Sequence, residues 1–90
     1  MATRSLPITD APINVVPALN LAPGSVYKFT VSPNAVSIGE TNDNTPPTSG
    51  HPLFPASARS DNKEYLEIES GVNIWVWASH PTTLTVTEAR

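Results

Sequence analysis

Val72-Asn73-Ile74-Trp75-Val76-Trp77-Ala78-Ser79 is the stretch that decides the fold. Val72, Ile74, Val76 and Ala78 alternate with Asn73, Trp75, Trp77 and Ser79, which is the period-two signature of a β-strand. Both sides of this strand carry bulky apolar groups, so both need cover, as in a strand inside a layered β-structure. One side fills the domain's own core. Three covers are open for Trp75 and Trp77: other parts of the same domain, a subunit or host surface, or a flat ligand such as a sugar ring. A sugar platform normally adds polar side chains that bond hydroxyls, and Asn73 is the one candidate on that face.

The pattern extends outward in both directions. Upstream, Glu64 to Glu69 sets Leu66 and Ile68 against Tyr65, Glu67 and Glu69, and Ser70-Gly71 turns the chain. Downstream, His80-Pro81 ends the strand, and Thr82 to Thr87 places Leu84 and Val86 inward beneath a row of threonines. Ala22-Pro23-Gly24-Ser25 has the residues of a type II turn. Val26 to Val31 then alternates Tyr27, Phe29 and Val31 against Val26, Lys28 and Thr30. After Ser32-Pro33-Asn34, Ala35 to Glu40 reads as the second strand of a hairpin, with Val36 and Ile38 inward. GETNDNTPPTSG, residues 39–50, has no apolar side chain and is expected to be an outward-facing surface loop. Leu53 and Phe54 anchor its return, and Ala56 to Asn62 is a weak stretch ending in a turn. Residues 1–24 carry Pro7, Pro12, Pro17 and Pro23, which suit extended or edge positions. They are expected to form an extended arm with a short edge strand near 13–19; the plain alternative is a disordered leader. The fold class is therefore all-β: a small antiparallel β-sandwich or barrel of about 5–7 strands. The expected division is an N-terminal arm over 1–24 and a body over 25–90.

Composition narrows the function. The chain has 90 residues, 39% of them hydrophobic and 14% charged, with no cysteine. A core this thin needs support from disulfides, a metal or oligomerisation. Without cysteine, the first route and the common zinc sites are closed, so oligomerisation or docking on a larger body is expected. The net charge is −3, and Arg4, Lys28, Arg59, Lys63 and Arg90 are scattered, which gives no basic stripe for nucleic acid. The first twenty residues hold no continuous apolar run, so neither a signal peptide nor a membrane span is expected there.

Catalytic constellations are thin. His51 and His80 each precede a proline at a strand boundary and share no metal-ligand spacing; exposed turn residues are the plainer reading. Glu67 and Glu69 stand about 7 Å apart on one strand face, where a solvated face accounts for them better than paired acids flanking a cleft. No nucleophile elbow, zinc-protease motif or phosphate-cradling glycine loop occurs. No catalytic residue, cofactor or metal is expected.

The order of features carries a resemblance. It runs from Leu19-Asn20-Leu21-Ala22-Pro23-Gly24-Ser25-Val26-Tyr27 through a short Val-x-Ile strand followed by Glu40, a Thr/Asn/Pro loop and Gly50-His51-Pro52-Leu53. It ends with Ile74-Trp75-Val76-Trp77-Ala78-Ser79 and a short Thr/Val strand. Over residues 19–90 this resembles the small β-rich virion structural proteins of tailed bacteriophages. The resemblance implies a capsid decoration (cement) protein, or a tail accessory protein, made in the bacterial cytoplasm and carried on the virion. The implied partners are the major capsid protein or a tail protein, with a homo-oligomer, a trimer favoured, and no nucleic acid or membrane. Ile13, Val15, Val16, Leu19, Tyr27, Phe29, Trp75 and Trp77 are the expected interface residues. The alternative is a tail- or fibre-associated carbohydrate-binding module using the Trp75/Trp77 face.

Overall fold

The computed structural model describes residues 3–55 and 63–89; the expected turn at the end of 56–62 lies outside them. In chain order the elements are β1 (Thr3–Ile8), β2 (Ile13–Asn14), α1 (Val15–Ala18), β3 (Val26–Ser32), β4 (Val36–Thr41), β5 (His51–Leu53), β6 (Glu64–Glu67), β7 (Asn73–Trp77) and β8 (Thr82–Glu88). The strands form two four-stranded antiparallel sheets, ordered β1-β8-β3-β6 and β2-β7-β4-β5. One hydrophobic cluster joins them: Ile8, Tyr27, Phe29, Val31, Leu84 and Val86 from the first sheet meet Val36, Ile38, Ile74 and Val76 from the second. The fold is a small β-sandwich. Each inward set is the apolar half of a period-two pattern, so burying it drives the sheets together.

The expected hairpin of β3 and β4 is corrected: these strands lie in different sheets. The Asn34 N–H donates to Thr82 Oγ1 at 3.0 Å, Thr82 Oγ1 donates back to the Asn34 carbonyl at 2.9 Å, and Asn34 Nδ2 donates to the Pro81 carbonyl at 2.9 Å. The chain therefore turns a corner at residues 32–36, held to the start of β8. Crossing over lets Val36 and Ile38 face Phe29 and Val31 across the core, where a flat hairpin would place them side by side.

The expected arm is, from Thr3 onward, woven into the sandwich. β1 pairs with β8 along its whole length, from Thr3 opposite Thr87 to Ile8 opposite Thr82. Arg4, Leu6 and Ile8 face the interior side and Thr3, Ser5 and Pro7 the exposed side. The Ala89 N–H donates to the Val26 carbonyl at 2.7 Å, which sets the phase of the β3–β8 ladder and, through β8, of β1. Arg4, Leu6 and Ile8 accordingly direct their main-chain groups to β8, while those of Thr3, Ser5 and Pro7 point to the open edge. Pro7 occupies a position where its missing N–H removes no ladder bond.

β2 pairs with β7, and the expected edge strand over 13–19 is mostly the single helical turn α1. Asn14 caps it, its Oδ1 accepting from the Val16 N–H at 3.3 Å. At the other end the Leu21 N–H donates to the Val16 carbonyl and the Asn20 N–H to the Pro17 carbonyl, with Asn20 at φ 54°. This is a Schellman ending, with asparagine in the left-handed position that glycine usually takes. Gly24 lies at φ 89°, and the Ser25 N–H bonds the Ala22 carbonyl at 3.2 Å, as the type II reading requires. Tyr27, buried in the core, accepts the Ala22 N–H on its phenolic oxygen at 2.9 Å and so fixes that turn to β3.

Candidate interaction surface

The tryptophan strand behaves as its alternation requires. Ile74, Val76 and Ala78 are in the core, and Trp75 and Trp77 lie on the outer face of the second sheet. Trp75 stands opposite Gly39 of β4 and Trp77 opposite Ser37. Trp75 is nevertheless only 7% exposed, because the 42–50 loop folds back over this face. A Cβ on Gly39 would lie 2.6 Å from Pro47 Cγ, and one on Gly50 would lie 3.0 Å from Trp77 Cη2. Lack of a side chain at both glycines is what lets the loop approach so closely.

Polar bonds fasten it. The Trp75 indole N–H donates to Thr41 Oγ1 at 2.8 Å, and Thr41 Oγ1 donates to the Asp43 carbonyl at 2.8 Å. The same carbonyl accepts from Asn73 Nδ2 at 2.6 Å, and Asp43 Oδ1 accepts the Thr45 N–H at 3.0 Å. The loop expected to face outward is thus the cover of the tryptophan sheet, although most of its own side chains stay exposed. Trp75 offers no open platform, and Asn73 is engaged with the loop.

The remaining expected interface residues separate by burial. Val15, Leu19, Tyr27 and Phe29 belong to the core, while Ile13 and Val16 pack against it half-buried, as Trp77 does on its own face. His51, on edge strand β5, brings Nε2 to 2.8 Å from Glu64 Oε2 on edge strand β6. This pair links one sheet to the other, with the side chains 50% and 25% exposed. His80, Glu67 and Glu69 are exposed. Among the described residues no three His, Asp or Glu side chains gather as metal ligands.

The outer face of the first sheet is a second coherent surface. Across β1, β8 and β3 it presents Thr3, Ser5, Thr83, Thr85, Thr87 and Thr30. Thr3 Oγ1 lies 3.2 Å from Thr87 Oγ1, Ser5 Oγ lies 3.5 Å from Thr85 Oγ1, and Thr30 Oγ1 donates to the Thr85 carbonyl at 3.4 Å. This part of the face carries no charge. Towards β6 its character changes: Lys28, Tyr65, Thr87, Glu88 and Ala89 line an open cleft of about 220 Å³. The row of outward threonines was visible in the alternation of 82–87; the cleft depends on cross-strand registers that local sequence does not contain.

Comparison with known proteins finds no matching family model, no matching curated protein and no matching solved structure. Among the described residues no helix is long and apolar enough to cross a membrane.

Proposed function

We propose that this chain is a virion structural protein, a capsid decoration protein that binds the assembled shell as an oligomer and stabilises it. The observation that carries this reading is the uncharged, hydroxyl-lined outer face of β1 and β8. Covering hydroxyls costs far less desolvation than covering charges, and each hydroxyl can both donate and accept across a contact. A sheet face is broad, so it can lie against a broad protein surface. The resemblance over residues 19–90 supplies the kind of body it docks on. Binding the shell and not free subunits stabilises the shell by mass action.

The test is co-sedimentation of the purified chain with virions lacking it, comparing the unaltered chain with Thr85→Lys. Thr85 is central to the face and half-buried, so lysine there leaves the core untouched but sets a charge in the contact. The expected result is a folded variant with at least tenfold weaker attachment. Undiminished attachment of that variant would sink this reading of the face.

A further inference from the structure

We infer that β1 pairs with β1 of a second copy across a two-fold axis at Ser5, joining the two first sheets into one. This names the contact within the oligomer proposed above and rests on that part of the reading. Among the described residues each sheet has two edges, and the edges differ. β2 has two residues and runs straight into α1, while β5 has three, one of them Pro52. β6 has four, of which Glu64 and Glu67 are acidic. Short length and charge are how edge strands avoid other chains. β1 has six residues, and its exposed side chains Thr3, Ser5 and Pro7 carry no charge. The main-chain groups at those three positions point away from β8, so an added strand meets groups ready to bond.

The strand's own sequence selects the register. In an antiparallel pair closed by a two-fold axis, the outward-bonding residues must face one another. An axis at Ser5 sets Ser5 against Ser5 of the second copy, where each N–H donates to the other's carbonyl. It also sets Thr3 against Pro7, where the Thr3 N–H donates to the proline carbonyl and the proline returns no bond. Arg4 then faces Leu6, and its aliphatic stem covers a leucine that the single chain leaves partly buried. An axis at Arg4 would instead place two like charges directly opposite, which is destabilising. An axis at Leu6 leaves Thr3 facing beyond β1, one at Thr3 leaves Leu6 uncovered, and one at Pro7 joins two residues without an N–H. The pairing asks nothing of its partner but the same strand, and copies gathered on a shell supply that at high effective concentration. The hydroxyl face of β1 and β8 then runs unbroken across both copies.

The chain has no cysteine, so a single introduced thiol reports the contact. Facing residues in such a bonded pair have Cα atoms about 5.5 Å apart, within the range a disulfide spans. Two Thr3 residues would stand about 13 Å apart along the strands, too far to bridge. The experiment compares Ser5→Cys with Thr3→Cys in the full chain under oxidised glutathione. The expected result is a covalent dimer that forms at least tenfold faster with Ser5→Cys. Equal rates, or a faster Thr3→Cys, overturn the inference. Ser5→Pro removes the central N–H without touching a bond to β8. It should keep the melting curve and lose the concentration-dependent sedimentation expected of the unaltered chain; association that survives in it also overturns the inference. Should that variant fail to fold, the cysteine comparison decides alone. Co-sedimentation with shells is a separate reading: chains that oligomerise and dock without the Ser5 cross-link keep the proposed function and lose this contact.

Discussion

Thr41 holds the tryptophan face closed with a single oxygen, which accepts from the Trp75 indole and donates to the Asp43 carbonyl. Thr41→Val preserves its shape and strands the indole N–H of the buried Trp75, which costs about 1–3 kcal/mol when a buried donor loses its partner. Chemical denaturation should show that loss, together with a red shift in tryptophan emission as water reaches the ring. Gly39 makes a steric counterpart. Alanine there would collide with Pro47, so Gly39→Ala should lift the loop and destabilise by about 1–3 kcal/mol, as overpacking does. Arg4 presents the opposite case. Its Nη1 is buried with no hydrogen-bond partner, and an unpaired buried donor is a standing penalty. Arg4→Met, which keeps the length of the side chain, should raise the unfolding midpoint; a lower midpoint would show that the guanidinium contributes a favourable contact.

At the scale of elements, β1 shows what the prolines concealed. With all its ladder bonds directed at β8 and Ile8 only 1% exposed, it is part of the core's wall. Removing residues 1–8 should abolish cooperative unfolding, and Ile8→Ala alone should cost about 2–5 kcal/mol, as for other large-to-small core changes. A truncated chain with an unchanged melting curve would count against this. The β5–β6 clasp is weaker: His51→Ala should change stability by about 1 kcal/mol or less, since the pair is half exposed and open to screening by salt. Period two made Tyr27, Phe29, Ile74, Val76, Leu84 and Val86 legible as core from their spacing alone. Strand pairing was not legible. Whether β4 folds beside β3 or crosses to the other sheet depends on Asn34 meeting Thr82, residues 48 apart in the chain. The fate of the Trp75 face was equally hidden, because a loop whose apolar side chains are two prolines gives no sign that it will cover tryptophan. It does so through main-chain carbonyls, a proline ring and two bare glycines. Residues 3–8 give no clear strand signal because Pro7 interrupts the apolar rhythm, although Leu6 and Ile8 keep it.

For the molecule as a whole, thinness is the governing fact. A chain of 90 residues buries a smaller fraction of its surface than a larger domain does, and its apolar reserve is spent on one core between two sheets. Self-association or docking should then appear as a melting temperature that rises with protein concentration or with added shells. Light scattering of the isolated chain distinguishes the two: a monomer that is already highly heat-stable would argue against the oligomer. Pro7 has a further consequence under the proposed docking. Copies held close together on a common surface bring free strand edges within reach of one another, the starting condition for runaway cross-β stacking. At the edge of β1, Thr3 and Ser5 still offer N–H groups, but Pro7 cannot. Pro7→Val would complete that row of donors and turn a blunted margin into a template for fibrils. The variant should fold as before, yet gather thioflavin signal on concentration while the unaltered chain stays clear.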